Sequence, residues 1–174
     1  MRLKTRACIY KYTARAQLSP LPRPRIGGLA FKVTLKLEVE GIEKEGAGKK
    51  TLVVDAKEDS RGLVRKVLGL RGYEVIGVGT GEDAINMAQT ELPDLILMDI
   101  RLPGGIDGLE ATRHIKALPQ LAHIPILAMT ASVRPEDAQR ALDIGCSGFV
   151  RKPIDIDELP KQVAEHIARA SSTD

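Results

Sequence analysis

Residues 94–113 read DLILMDIRLPGGIDGLEATR, and the order of residue types in this stretch decides the architecture. The run Leu95 to Met98 is continuously apolar and lies between Asp94 and Asp99, as expected of a short strand covered on both faces. Pro103, Gly104, Gly105 and Gly108 then mark a turn-rich loop. From Gly108 the apolar residues adopt helical spacing, so strand, loop and helix follow one another as a βα unit.

The same unit recurs on both sides. Strands are predicted at Thr51 to Asp55, Tyr73 to Gly77, Asp94 to Asp99, Ile124 to Thr130 and Gly148 to Arg151. Helices are predicted near Asp59 to Leu70, Glu82 to Leu92, Gly108 to Leu118, Pro135 to Ile144 and Ile156 to Ala170. Such alternation specifies an α/β domain with a parallel sheet. The punctuation agrees: Ser132 stands ahead of Pro135 in a first helical turn, and Gly145 closes that helix. Asp155 with Glu158 forms an acidic version of a capping box. Pro160 is tolerable because a residue in the first turn has no intrahelical acceptor for the missing N–H.

The 174 residues suit one domain with an extension, expected as residues 1–48, then the domain at 49–170 and a tail at 171–174. Apolar residues make up 43% and charged residues 28%, but aromatics only 3%, so the core must be aliphatic. No stretch approaches the roughly 18 apolar residues of a membrane-spanning helix, and the N-terminus lacks a secretory apolar region, so a cytoplasmic location is expected. Cys8 and Cys146 form no metal-binding or redox spacing, and Cys146 reads as a small core residue.

The net charge of +3 hides an uneven distribution. Residues 1–36 carry nine Lys or Arg and no acid, whereas the rest carries seventeen basic against twenty-three acidic residues, a net −6. Prolines at 20, 22 and 24 beside Arg23 and Arg25 suggest that Met1 to Arg25 is a disordered, extended arm. Phe31, Val33, Leu35, Leu37 and Val39 alternate with polar residues, giving strand periodicity over 31–39. One strand cannot bury its apolar face alone; it must join a sheet, pair with a partner or stay unfolded. Gly41 to Gly48 then reads as a flexible connector. The arm carries charge that suits phosphates or acidic lipids but no helix-turn-helix, zinc-finger or stacking-aromatic pattern, so nucleic acid is not the expected partner.

In a parallel α/β sheet, functional groups gather at the carboxyl ends of the strands. Asp55, Asp99 and Thr130 end three predicted strands and Lys152 follows a fourth, so these distant residues converge on one crevice. A carboxylate, a hydroxyl and an ammonium there suit phosphoryl chemistry. Asp99 can attack phosphorus to give an acyl phosphate if the approaching negative charges are neutralised. A divalent cation ordinarily supplies that neutralisation, and magnesium needs only one or two carboxylates plus carbonyl and water oxygens.

Three segments carry a resemblance. LVVDAKEDSRGLVRKVLGLRGYEV from Leu52, DLILMDIRLPGGIDGLEATR from Asp94 and PILAMTASVRPEDAQRALDIGCSGFVRKPIDIDEL from Pro125 resemble, in order, the conserved segments of response-regulator receiver domains of two-component signalling. The match runs over roughly Lys50 to Ile167. It implies a flavodoxin-like, doubly wound, five-stranded parallel sheet of order 2-1-3-4-5 with five helices. It also implies Asp99 as phosphoacceptor, Asp55 as an acidic-pocket residue, Lys152 as partner of the phosphoryl group, and Arg101 as a metal ligand through its carbonyl. Thr130 and Phe149 would be the switch residues, and Lys152–Pro153 a cis peptide. The implied partners are a histidine kinase or phosphotransfer protein and a downstream protein bound through the fourth helix, fifth strand and fifth helix. No output domain is expected after the fifth helix, so the expected output is protein binding unless the N-terminal arm supplies one.

The family usually has two adjacent acids after its first strand, the second touching the metal, whereas this chain has Asp55 followed by Ala56. Weakened magnesium affinity is therefore expected, and a pseudo-receiver serving only as an interaction module is the alternative. Asp59 is expected to cap the first helix and Glu58 to lie on its exposed turn, leaving neither to replace the missing acid. The loop PGGIDG is one residue longer than the common form, an insertion of small cost. Other readings fail on single residues: Glu82 occupies the last glycine position of a dinucleotide fingerprint in GVGTGED, and Lys57 stands where a dehalogenase-like phosphatase needs its second Asp.

Overall fold

The computed structural model describes residues 11–20, 31–40, 44–131 and 135–172, with the backbone alone for 11–20, 31–40 and 135–138. The chain divides into two compact units, Met1–Glu43 and Lys44–Asp174.

In the first unit, β1 (Lys11–Pro20) pairs antiparallel with β2 (Phe31–Glu40), in a register that sets Lys11 opposite Glu40 and Pro20 opposite Phe31. The single strand expected over 31–39 thus has a partner within the arm expected to be disordered. Its alternation is Tyr12, Ala14, Ala16, Leu18, in which the small alanines weaken the apolar signal beside the proline cluster. Residues 1–10, with Cys8, and 21–30 lie outside the described residues, and with them the rest of the arm expected over Met1 to Arg25.

The second unit runs β3 (Lys50–Val54), α1 (Glu58–Leu70), β4 (Glu74–Val78), α2 (Gly81–Glu91), β5 (Leu95–Asp99), α3 (Gly108–Ala117), β6 (Ile126–Thr130), α4 (Pro135–Ile144), β7 (Gly148–Arg151) and α5 (Glu158–Ser171). Its strands are parallel in the order β4-β3-β5-β6-β7, which is 2-1-3-4-5 counted within the unit. Successive strand residues face opposite sides of the sheet. Leu52, Val54, Ile96 and Met98 therefore pack in one core with α2 and α3, while Val53, Leu95 and Leu97 pack in a second with α1 and α5. Both cores are almost wholly aliphatic, and Cys146 is buried in the first.

Side chains fix the starts of α2 and α3 and the turn that leads into α5. The Thr80 hydroxyl accepts from the Asp83 N–H at 3.1 Å, the Asp107 carboxylate from Glu110 at 2.8 Å, and Asp155 from Asp157 and Glu158 at 2.9 and 3.1 Å. Each satisfies amides that a first turn leaves without intrahelical partners. Gly145, at φ +107°, turns the chain out of α4, and Pro160 is buried in the first turn of α5. Ser132, predicted ahead of α4, lies outside the described residues. In α1 the expectation for Asp59 fails: the helix begins at Glu58 after Lys57, with no side-chain cap, and Asp59 sits within its first turn. Glu58 lies on that turn, paired with Arg61 and Arg65.

The expected connector is partly ordered. The Gly46 N–H donates to the Arg71 carbonyl at 3.0 Å, and Glu45 pairs with Arg71 at 3.5 Å. A Cβ on Gly46 would lie 2.3 Å from the Tyr73 ring, so only glycine lets the backbone cross that ring. This cover buries Tyr73, and burial together with the nearby Glu45 charge pushes its phenol up to about 12. The folded unit accordingly begins ahead of the predicted edge at Lys49. Among the described residues no helix is long and apolar enough to cross a membrane.

Candidate functional site

The register brings strand ends level: Val54 of β3 lies beside Met98 of β5, Asp99 beside Met129 of β6, and Thr130 beside Arg151 of β7. One residue past Val54 and one past Arg151, Asp55 and Lys152 meet Asp99. The Lys152 ammonium donates to Asp55 Oδ2 at 2.7 Å and to Asp99 Oδ2 at 2.6 Å. Three residues spread over nearly a hundred positions thus form one charge-paired cluster.

Asp55 is the anchor. It is 1% exposed, and its oxygens also accept from the Lys57 N–H at 2.9 Å and the Ser60 hydroxyl at 2.6 Å. Burial pushes its carboxyl up, but the bonds from Lys152, Ser60 and Lys57 outweigh burial and hold it below the usual carboxylate value. For Lys152, burial pushes the ammonium down, and the two carboxylates more than reverse that. The Arg61 guanidinium donates to the Asp55 carbonyl and pairs with Glu58, tying the β3–α1 loop to the helix.

Asp99 is more open, its second oxygen accepting from the Arg101 N–H at 2.9 Å. The loop after it folds back so closely that a Cβ on Gly108 would lie 1.9 Å from the Asp99 carbonyl oxygen. Gly108 therefore sets where the loop after β5 meets α3. Thr130 is buried at the end of β6, where its carbonyl accepts from the Lys152 N–H at 2.8 Å. Phe149 is half-buried against the first core, and Lys152–Pro153 is cis. Arg101 is placed in the site by its amide alone.

Sequence reasoning located the charged trio but not Ser60, Arg61 or Gly108. The first two lie one turn into α1, at five and six residues after Asp55, a spacing that brings a helical residue back over the preceding strand end. The Asp-Gly pair at 107–108, directly ahead of a helix, is the signal for the third.

The donor set suits magnesium in kind and is thin in number. Asp55 and Asp99 are two hard carboxylates within one ammonium's reach, and magnesium is bound elsewhere through one or two carboxylates with retained waters. Among the described residues no three His, Cys, Asp or Glu side chains gather to hold a metal. Ala56 leaves the place of the third acid empty of any donor side chain.

The model of the response regulator receiver domain family matches residues 51–164. The chain belongs to the response-regulator receiver family. This receiver is 34% identical over 122 residues to the polar-differentiation response regulator DivK of Brucella ovis, covering 70% of this chain and 98% of DivK. It superposes on the receiver domain of a sensor histidine kinase from Pseudomonas aeruginosa, solved with magnesium coordinated in the active-site cleft, with a TM-score of 0.65 and 33% identity over 70% of this chain and 99% of that one. The chemotaxis protein CheY4 of Vibrio cholerae gives a TM-score of 0.65 at 30% identity, over 67% of this chain and 97% of that one. These matches place this receiver in two-component signalling, among proteins that signal through histidine kinases or phosphotransfer proteins and downstream targets. Its fold is the flavodoxin-like one.

Proposed function

We propose that Asp99 accepts a phosphoryl group from a histidine kinase or phosphotransfer protein and that the modified receiver signals by binding another protein through the surface of α4, β7 and α5. The observation that carries this reading is the Lys152 ammonium held between Asp55 and Asp99 at 2.7 and 2.6 Å. In the reaction an Asp99 oxygen forms a bond to phosphorus, the bond from phosphorus to the donor nitrogen breaks, and that nitrogen keeps the electron pair. Lys152 then exchanges a carboxylate for a phosphoryl oxygen, a charge-assisted bond of the same kind. Thr130, at the end of the neighbouring strand, supplies a second donor, and Phe149 follows the rearrangement into the space that Thr130 leaves. The chain acts as the acceptor and carrier of the group, as a signalling protein rather than an enzyme acting on external substrates.

Magnesium would be held by Asp55, Asp99 and the Arg101 carbonyl and would supply neutralisation of the negative charge that phosphoryl transfer brings together. With Ala56 in place of an acid, its affinity is reduced. A second reading follows from that thin donor set: a pseudo-receiver that keeps the fold as a cytoplasmic docking module. Incubation with magnesium and a small phosphodonor, followed by intact-mass measurement, separates the two. A phosphoryl adduct that disappears in Asp99→Asn supports the acceptor; no adduct at any magnesium concentration supports the docking module. In Ala56→Asp, magnesium binding should tighten by about tenfold or more, because a carboxylate about 4 Å from a cation contributes on the order of kilocalories at intermediate dielectric. Unchanged affinity would remove Ala56 from the explanation.

A further inference from the structure

The register of β1 and β2 segregates the ribbon completely. Residues opposite one another in an antiparallel pair share a face. Tyr12 lies opposite Val39, Ala16 opposite Leu35 and Leu18 opposite Val33, and every residue of that face is apolar as far as Pro20 and Phe31. The other face is polar throughout. Its charged members are Lys11, Arg15, Lys32 and Lys36 against Glu38 and Glu40, with Lys11 opposite Glu40 but Arg15 opposite Lys36. Like charges directly opposite are unfavourable unless an anion lies near both. A lone two-stranded ribbon is marginal in water, so its apolar face needs cover.

We propose that this ribbon is a peripheral docking element for an anionic lipid surface. An apolar face backed by Lys and Arg is the pattern of elements that lie in the membrane interface, held by apolar burial and by attraction to acidic headgroups. Glu38 lies diagonal to Arg15 and offsets part of its repulsion from Lys36, but the face still holds four cations against two carboxylates. A second copy of the chain would cover the apolar face and leave that excess unanswered. Nucleic acid would take the cations and leave the apolar face in water. An acidic membrane surface answers both faces at once. Residues 41–174 carry seventeen basic and twenty-one acidic residues, a net −4, and are repelled by such a surface, so binding falls to the basic first forty residues that contain the ribbon. The inference is independent of whether Asp99 is phosphorylated.

The chain contains no tryptophan, which makes the two faces separately readable. Full-length Leu35→Trp and Thr34→Trp variants are mixed with phosphatidylcholine vesicles with and without phosphatidylglycerol, and indole emission is followed with co-sedimentation. The expected result is a blue shift in Leu35→Trp with acidic vesicles, little shift in Thr34→Trp, and weaker binding at high salt. Arg15→Gln with Lys36→Gln should weaken binding to acidic vesicles by roughly tenfold or more. Absence of vesicle binding by the unsubstituted chain overturns the proposal, as do equal shifts in the two variants. A concentration-dependent dimer without vesicle binding assigns the apolar face to a second copy; salt-sensitive DNA binding without vesicle binding assigns the charge to nucleic acid. Either outcome also overturns it.

Discussion

At the carboxyl ends of the strands Lys152 pairs with Asp55 and Asp99, and at the amino ends Lys49 pairs with Asp94 and Lys50 with Glu91. The chemistry is the same, and the burial is not. Asp55 is 1% exposed in its side chain and Lys152 23%, whereas Lys49 and Asp94 are 40% and 29% exposed. At the amino end Asp94 also accepts from the Lys50 N–H at 2.7 Å, fixing where the first strand of the sheet begins. Those pairs pin strands in water, where an ion pair contributes little. At the other end a buried carboxylate depends on one ammonium, and removing that partner is costly. Position along the same strands thus separates the buried cluster proposed to accept a phosphoryl group from a fastening.

Glycines test this contrast most severely, because at each end an added methyl group forces a neighbour to move, backbone at one end and a ring at the other. In Gly108→Ala the new Cβ would meet the Asp99 carbonyl oxygen at 1.9 Å, and backbone cannot move aside cheaply. A loss of about 3 kcal/mol in urea unfolding is expected, with loss of the Asp99 adduct. In Gly46→Ala the obstacle is the Tyr73 ring, which can shift, so about 1–2 kcal/mol is expected with the adduct retained. Equal losses of stability and equal effects on phosphorylation would erase the distinction between the two ends.

The lysines come next. Lys152→Met leaves Asp55 and Asp99 facing each other without a cation, at a cost of about 2 kcal/mol once partial exposure is allowed for, and it removes the proposed partner of the phosphoryl group. Lys49→Met should change stability by less than about 1 kcal/mol and leave phosphorylation unaffected. A double-mutant cycle between Lys152 and Asp55 measures the coupling directly, and a value near that of Lys49 with Asp94 would contradict the reading from burial.

Much of this was legible in the sequence, for a definite reason. Asp55, Asp99, Thr130 and Lys152 stand at or just past the ends of apolar runs, and parallel topology alone brings such ends together. Ser60 and Arg61 act through a loop whose turn is set by Asp55 itself: its carboxylate takes the Lys57 amide and the Ser60 hydroxyl, and the chain enters α1 at Glu58. That closure leaves Asp59 no capping position, which spacing alone does not reveal. Gly46 and Tyr73 are 27 residues apart, and their contact depends on how the chain enters the sheet rather than on local pattern. Strand β1 was hidden by alanines and prolines that weaken a periodicity its partner shows plainly.

The mildest consequence concerns acid. Buried Asp55 would by burial alone ionise with difficulty, yet Lys152, Ser60 and Lys57 together hold its carboxyl below the usual value of about 3.9. The folded chain therefore binds this proton less readily than the unfolded chain. The resulting stability is present above about pH 4 and is lost as pH falls through the lower folded value. In urea unfolding followed from neutral pH to about pH 3, Asp55→Asn should lose less stability than the parent, because an amide has no carboxylate to protonate. The same comparison on Ser60→Ala should give an intermediate slope, since one of the three bonds that favour ionised Asp55 is gone. Parallel acid limbs in parent and Asp55→Asn would mean that the carboxyl end of the sheet draws no more from its buried charge than the amino end draws from its exposed ones.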